Sequence, residues 1–113
     1  MSKTRVAIVG ASGYSGEELL RLLLRHPAAE LTCITSRQEA GRPVGAVFPR
    51  YMESSLKFSP PDIDDIAAKA EVAFLALPHG LAAEFAAPLL ERKLKVIDIS
   101  ADFRIHSPEI YAH

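Results

Sequence analysis

The chain has 113 residues, 49% of them hydrophobic and 24% charged, and its formal net charge at pH 7 is −1. A near-neutral chain gives no electrostatic reason to bind nucleic acid or an anionic membrane, and a single cysteine excludes an internal disulfide and a cysteine-rich metal site. No apolar run reaches the length of a signal-peptide core or of a transmembrane helix. We therefore expect one globular domain, or part of one, located in the cytoplasm.

The first half of the chain alternates between strand-like and helix-like patterns. Residues 6–9 form a continuous apolar run, typical of a strand that is buried on both faces. Residues 16–25 combine a wide leucine face with charged residues opposite, which predicts an amphipathic helix that ends before Pro27. Residues 31–35 are β-branched and apolar and predict a second strand. Glycines and prolines in residues 37–55 predict a long, mostly irregular connection.

The second half repeats this alternation. Its predicted elements are an edge strand at 56–58, a short helix opened by residues 60–62 and running to 70, a strand at 72–77, a helix at 81–93 and a strand at 96–100. Pro88 predicts a kink or a break in the second of these helices, and residues 101–113 are a polar remainder. Strands that alternate with helices predict a Rossmann-type, doubly wound α/β fold with a mainly parallel sheet, incomplete in this chain.

A glycine-rich stretch, GASGYSG at residues 10–16, joins the first predicted strand to the first predicted helix. In such a turn Gly10 permits the tight bend, Gly13 lets a pyrophosphate approach the backbone, and Gly16 lets the helix pack closely. The free N–H groups at the start of the helix then meet the anion. An ordinary glycine-rich turn is the alternative, but the position between strand and helix favours dinucleotide binding.

Three side chains of the same stretch can add hydroxyl groups to this cofactor site. Ser12 and Ser15 are candidate donors to the phosphates. Tyr14 is a third candidate, although its ring can instead pack against the protein. We include all three among the predicted cofactor-binding residues.

The end of the second predicted strand decides between the two nicotinamide cofactors. An NAD site usually places an acidic residue there for the ribose diol, whereas this sequence has Ser36 and Arg37, with Glu39 two residues further on. A guanidinium can pair with a 2′-phosphate through its planar fork, with the serine as a second donor. A solvated surface arginine is the alternative. We predict NADP(H).

Two further strand ends should reach the same crevice, because ligands of such sheets lie outside the carboxyl ends of the strands. Pro78, His79 and Gly80 follow the strand at 72–77, and His79 can line the nicotinamide pocket or donate to a substrate; a loop histidine without chemistry is the alternative. Asp98 lies within an apolar strand and needs a partner if it is buried. Arg104 suits an anionic substrate group, or else a structural ion pair.

Cys33, the single cysteine, lies in the middle of the second predicted strand. A buried cysteine behaves as a small hydrophobe, so we predict a core residue and not a nucleophile. No residue of this chain is assigned a catalytic role or a role as metal ligand.

The motifs together resemble the N-acetyl-γ-glutamyl-phosphate reductase family of arginine biosynthesis. They are GASGYSG, the Ser36-Arg37 pair, ALPHG at 76–80 and DISADFR at 98–104, in this order along essentially the whole chain. The resemblance implies an NADPH-dependent reduction of N-acetyl-γ-glutamyl phosphate to N-acetylglutamate semialdehyde with release of phosphate. It also implies that the glycine stretch and the Ser36-Arg37 pair hold NADPH, that residues 78–80 lie near the nicotinamide, and that Arg104 faces the acyl-phosphate substrate.

The sequence departs from the family in one large respect. The family's nucleophilic cysteine and catalytic histidine belong to a second domain, beyond residue 113, and neither has a match here. Residues 1–113 are therefore expected to be the N-terminal portion of the NADP-binding domain, inactive alone, in an enzyme that forms homo-oligomers.

Three other functions remain open on the sequence. The aminoadipyl-phosphate reductase of lysine biosynthesis shares the chemistry, and residues outside this chain would separate it from the arginine enzyme. A non-catalytic NADP-binding or sensor module fits the short length but leaves the substrate arginine unexplained. An NADP-dependent short-chain reductase explains the glycines but not residues 78–80.

Overall fold

The computed structural model describes residues 3–11, 13–77, 79–99 and 109–111. In these residues a single sheet is built from β1 (Thr4–Val9), β2 (Ala29–Thr35), β3 (Phe58–Ser59), β4 (Val72–Leu75), β5 (Lys95–Asp98) and β6 (Glu109–Tyr111). Its strand order is β3-β2-β1-β4-β5-β6, parallel from β3 to β5, with β6 antiparallel to β5. The predicted Rossmann-type, mainly parallel sheet is confirmed.

Four helices and one 3₁₀ turn accompany the strands in the described residues. They are α1 (Tyr14–Leu24), α2 (Val44–Val47), the 3₁₀ turn Pro49–Tyr51, α3 (Ile63–Lys69) and α4 (His79–Glu91). The chain first adds strands on one side of β1, as β2 and β3, and then crosses to its other side, as β4 and β5. The strand order therefore reverses between β1 and β4, and this switch point is where doubly wound sheets hold their ligands.

Strand β1 carries core residues on both of its faces. Val6 and Ile8 pack in one cluster with α1, whereas Ala7 and Val9 pack in a second cluster with α3 and α4. The alternation follows from the period of two along a strand. A strand covered by helices on both faces reads as a continuous apolar run, which is why the sequence pattern identified β1.

The structure extends several elements beyond their predicted bounds. Strands β1 and β2 and helices α1 and α4 each begin two residues before the predicted start, and β4 ends two residues before the predicted end. The pattern detects apolar residues, whereas hydrogen bonding and helix capping set the actual ends. Helix α3 begins at Ile63, after Asp62, whose carboxylate caps the helix and accepts a bond from the N–H of Asp64 at 2.9 Å.

The break predicted at Pro88 is wrong. Helix α4 continues through Pro88 to Glu91, and the N–H of Arg92 still bonds to the carbonyl of Pro88 at 3.2 Å. A proline removes only one helical hydrogen bond, the one to the carbonyl four residues earlier. That residue, Glu84, is exposed, so water can solvate its carbonyl group.

The stretch predicted to be mostly irregular contains α2 and the 3₁₀ turn. Val44 is fully buried there, and the ring of Phe48 makes edge-to-face contacts with Tyr51 and Phe58, both at centroid distances of 6.4 Å. These aromatic contacts join the connection to the end of the sheet. Tyr51 is near Phe48 in sequence, but Phe58 belongs to β3, and no local pattern predicts that the two phenylalanine rings meet.

The prediction that Cys33 is a core residue is confirmed. Its side chain is only 2% exposed on β2, and burial raises the pKa of the thiol to about 11. At pH 8 only about 0.1% of such a thiol is ionised, and the thiolate is the nucleophilic form.

We predict that Cys33→Ser lowers the free energy of unfolding by about 1–3 kcal/mol, because a hydroxyl group replaces a thiol in an apolar site. Cys33→Ala is the matched control, since it adds no polar group and should cost less. Denaturant unfolding of the three proteins measures the difference. Rapid alkylation of the folded wild-type thiol at pH 8 would contradict the assignment.

Candidate functional site

A cavity of about 250 Å³ opens at the switch point, at the carboxyl ends of β1, β2 and β4. Its wall includes Gly10 and Gly13 after β1, residues 35–38 at the end of β2, residues 76–77 after β4, and Leu81 in α4. Four separate segments of the chain thus converge on one cavity. The sequence predicted that the glycine stretch and the end of β4 face one crevice, and the described residues of both meet here.

Two glycines of the turn are required by the packing of the protein itself. Gly10 has a φ of +87°, and a Cβ on it would lie 2.6 Å from the carbonyl oxygen of Ala76. A Cβ on Gly16 would lie 2.5 Å from the carbonyl group of Ala11. Real Cβ atoms do not approach backbone this closely, so both positions exclude any side chain. The turn is consequently tight and brings the start of α1 down onto the end of β1.

Gly13 differs from its two neighbours in the motif. Apart from its two chain neighbours, no atom of the described residues lies within 4 Å of a Cβ built on Gly13, and its φ of −84° suits any residue. Gly13 is also the N-cap of α1, and no side chain in the described part of the chain caps the helix there. The N–H groups of residues 14–16 precede the first intrahelical bond, from Glu17 to Gly13. This open space lies beside N–H groups that have no intrahelical acceptor, and such an arrangement fits a pyrophosphate.

Thr35 holds the turn against the end of β2 through hydrogen bonds. The sequence did not predict this role. The side chain is fully buried. Its Oγ1 accepts a bond from the N–H of Gly10 at 3.2 Å, and its carbonyl accepts bonds from Gly10 at 3.1 Å and from Ala11 at 2.7 Å. The only hint in the sequence is a polar residue at the end of an apolar strand.

The Ser36-Arg37 pair lies where the sequence predicted, on the cavity wall at the end of β2. Arg37 is exposed, and within the described residues no carboxylate forms an ion pair with it. Glu39, the nearest acid in sequence, is instead held by Arg42 at 2.6 Å. The guanidinium of Arg37 is therefore available to an anion in the cavity.

Ser36 has a structural contact in addition to its position on the wall. It is 4% exposed, and its Oγ accepts a bond from the N–H of Glu39 at 3.1 Å. Its own N–H donates to the carbonyl of Ser59 in β3 at 3.0 Å. These bonds shape the turn that presents Arg37.

The remaining wall of the cavity is apolar. Pro61, Leu77, Leu81 and Phe85 contribute to it. A flat heterocyclic ring can pack against such a wall while its charged substituents reach the glycine turn and Arg37. The cavity therefore combines an apolar surface with two separate features, the start of α1 and the guanidinium of Arg37, whose chemistry suits anions.

For several predicted site residues the structure describes only the position in a helix, or nothing. Tyr14 and Ser15 occupy the first turn of α1, and His79 and Gly80 begin α4. Three others, Ser12, Pro78 and Arg104, lie outside the described residues. The roles predicted for these seven residues stay predictions.

Asp98 ends β5, where it pairs in register with Leu75 of β4. It is half-buried, and it has an interaction partner, as its position in an apolar strand requires. The described residues contain no group of three or more histidine, cysteine, aspartate or glutamate side chains that could hold a metal ion. No helix in this part of the chain is long and apolar enough to cross a membrane.

Known reductases are similar to this chain over nearly its whole length. It is 56% identical over 115 residues to the N-acetyl-gamma-glutamyl-phosphate reductase of Akkermansia muciniphila, covering 98% of this chain and 33% of that protein. It is 51% identical over 110 residues to the LysW-L-2-aminoadipate/LysW-L-glutamate phosphate reductase of Saccharolobus solfataricus, covering 96% and 31%. The chain thus spans about a third of the length of these curated relatives. The resemblance stated from the motifs is confirmed.

Solved structures agree on the fold. The aspartate semialdehyde dehydrogenase of Candida albicans, determined with NADP, superposes with a TM-score of 0.76 at 20% identity, covering 93% of this chain and 32% of that one. A probable aspartate-semialdehyde dehydrogenase from Pseudomonas aeruginosa gives 0.64 at 27% identity, covering 88% and 28%. The family described as semialdehyde dehydrogenase, NAD binding domain, matches residues 5–112, and the chain belongs to that family.

Proposed function

We propose that this chain is the NADP(H)-binding part of a phosphorylating semialdehyde dehydrogenase. The full-length enzyme would reduce N-acetyl-γ-glutamyl phosphate to N-acetylglutamate semialdehyde and release phosphate. The observation that carries the proposal is the open space at Gly13 beside the uncapped N-terminus of α1. No contact among the described residues requires glycine at that position, whereas a bound pyrophosphate would require it.

The choice of NADP(H) over NAD(H) rests on charge at the end of β2. Arg37 is exposed on the cavity wall without an acidic partner among the described residues, and Glu39 is engaged by Arg42. A ribose 2′-phosphate would therefore meet a free guanidinium and no nearby free carboxylate. Guanidinium groups bind phosphates with charge-assisted, often bidentate hydrogen bonds.

The chain's own residues bind and orient the cofactor in this proposal. The turn at Gly13 would hold the pyrophosphate, and Ser36 and Arg37 would hold the 2′-phosphate. Residues 78–80 would lie near the nicotinamide, with Ser12, Tyr14 and Ser15 as additional donors at the turn. When bound, the nicotinamide supplies or accepts hydride. Arg104 would face the phosphate of a small acyl-phosphate substrate.

The nucleophile of the proposed enzyme lies outside this chain. In the proposed reaction an activated thiolate would attack the acyl carbon, the C–O bond to phosphate would break, and phosphate would leave as the thioester forms. Cys33 is buried and its pKa is raised to about 11, so it does not qualify. Residues 1–113 accordingly supply cofactor binding, and a second domain supplies the catalytic cysteine and histidine.

Two substrates have support among the relatives of this chain. The relatives include reductases named for N-acetyl-gamma-glutamyl phosphate and for the LysW-linked aminoadipate and glutamate substrates. We favour the arginine-pathway substrate because the reductase with 56% identity carries that name. Phosphate-dependent oxidation of N-acetylglutamate semialdehyde by the full-length enzyme tests this choice. Turnover only with a LysW-linked semialdehyde would favour the second candidate.

We predict that Gly13→Val abolishes measurable NADPH binding, because its methyl groups would occupy the space of the pyrophosphate. The fold should remain, with a loss of at most about 1 kcal/mol, since valine is a poor N-cap. Calorimetric titration of the folded variant measures the affinity. Gly41→Asn is the control, because Gly41 does not line the cavity: a side chain is strained at its φ of +88°, so this variant should lose stability but bind NADPH normally. If Gly13→Val binds NADPH with normal affinity, the glycine motif is only a tight turn and does not hold the pyrophosphate.

We predict that Arg37→Ala weakens NADPH by about 1.5–3 kcal/mol, the scale of a hydrogen bond to a charged group, and leaves NADH nearly unchanged. The full-length protein is titrated with both cofactors. Arg25→Ala is the control, since it removes an equal charge at the C-terminal end of α1, away from the cavity. If Arg37→Ala weakens the binding of NADPH and NADH equally, Arg37 does not bind the 2′-phosphate.

We predict that residues 1–113 expressed alone do not catalyse NADP-dependent oxidation of the semialdehyde. The chain should also associate or be poorly soluble, because this piece lacks the rest of the proposed enzyme, which would complete the sheet and cover its edge. The full-length enzyme, assayed alongside, is the reference. A soluble monomer with comparable turnover would overturn the placement of the nucleophile outside this chain.

A further inference from the structure

Thr35 concentrates three hydrogen bonds on the first two peptide groups of the glycine turn. The N–H of Gly10 is shared between the carbonyl oxygen of Thr35, at 3.1 Å, and its Oγ1, at 3.2 Å, while the N–H of Ala11 donates to the same carbonyl at 2.7 Å. Two of these bonds need only a backbone. The third needs a side-chain oxygen at this position.

Burying a side-chain oxygen at this position costs free energy unless the oxygen makes a hydrogen bond. Thr35 is fully buried, and in a buried strand valine has nearly the same shape without a hydroxyl group to satisfy. Gly10 has a φ of +87°, and glycine moves between backbone conformations more readily than any other residue. A second acceptor for its N–H restricts that freedom at the base of the turn.

Thr35 also stands between the two proposed phosphate contacts. It pairs with Val9 of β1 on one side and with Ser59 of β3 on the other, and Ser36 and Arg37 follow it directly in sequence. The glycine turn is thus bonded to the residue that precedes the proposed 2′-phosphate pair. Movement of the turn relative to β2 would change the distance between the two phosphate contacts.

We propose that the Thr35 hydroxyl group is a positioning element for dinucleotide binding: its Oγ1 fixes the glycine turn in the conformation that receives the pyrophosphate. The inference rests on the proposed function, because it requires a dinucleotide in this cavity. It assigns no contact between Thr35 and the cofactor. A turn that is already ordered loses less freedom on binding, which strengthens affinity.

The test compares Thr35→Val and Thr35→Ser in the full-length protein, with dissociation constants for NADPH and NADH from fluorescence titration. Thr35→Val removes the oxygen at nearly constant shape and should weaken both cofactors by the same factor, about fivefold, as expected for one neutral hydrogen bond. Thr35→Ser keeps the oxygen and should bind like wild type. Both cofactors carry the pyrophosphate, so their ratio should not change, in contrast to the effect expected for Arg37.

Thr32→Val is the matched control on the same strand. The Thr32 hydroxyl group donates to the carbonyl of Lys69 at 2.7 Å and to that of Val6 at 3.3 Å. Thr32 lies in the middle of β2, three residues before Thr35, and is not part of the cavity wall. This variant also loses a hydrogen bond and should keep wild-type affinity for both cofactors. Weakening equal to that of Thr35→Val would mean that any lost strand hydroxyl has the effect, and would overturn the proposal.

If Thr35→Val does not fold, Thr35→Ser and Thr35→Ala provide the same comparison, because both lack the methyl group and only serine keeps the oxygen. Unchanged affinity of the oxygen-free variants, in a protein whose wild type binds NADPH, would overturn the positioning role alone. Selective weakening of NADPH would overturn it as well, since the effect would then act through Arg37. A wild-type protein that binds neither cofactor would overturn the proposed function and this inference together.

Discussion

The site depends on how little space the turn between β1 and α1 leaves for side chains. At Gly10 and Gly16 even one added carbon would collide with backbone, of Ala76 and of Ala11 respectively. This close packing fixes where α1 begins relative to the ends of β1 and β4. Bonds to Thr35 fix the same turn relative to β2. The ends of β1, β2 and β4 together therefore determine the position of the first N–H groups of α1.

Different segments of the chain contribute different kinds of chemical group to the cavity. Backbone N–H groups at Gly13 suit a pyrophosphate, the guanidinium of Arg37 suits a further phosphate, and the apolar wall that includes Phe85 suits a ring. The ion pair between Glu39 and Arg42 occupies the nearest carboxylate. None of these groups is a nucleophile. The arrangement fits the binding of a cofactor, and the chain spans about a third of the length of its relatives.

Local patterns in the sequence were sufficient for strands β1 to β5, the long helices and the glycine turn, because each depends on periodicity or on a short motif. They did not predict β6, which lies in the polar remainder and pairs with β5. The ring contact between Phe48 and Phe58, which orders the connection after β2, has no local pattern either, and no local pattern indicates that α4 continues through Pro88. Thr35 was missed because one polar residue at a strand end has no distinctive spacing, and only the fold brings it to Gly10.

The most direct test of the central claim is amide hydrogen exchange in the full-length protein, measured residue by residue with and without saturating NADPH. The N–H groups of residues 14–16 have no intrahelical partner, so they should exchange quickly in the free protein. If they receive the pyrophosphate, their exchange should slow strongly when NADPH binds, more than that of amides on the far ends of the same strands. Unchanged exchange of residues 14–16 in the saturated complex would contradict the account.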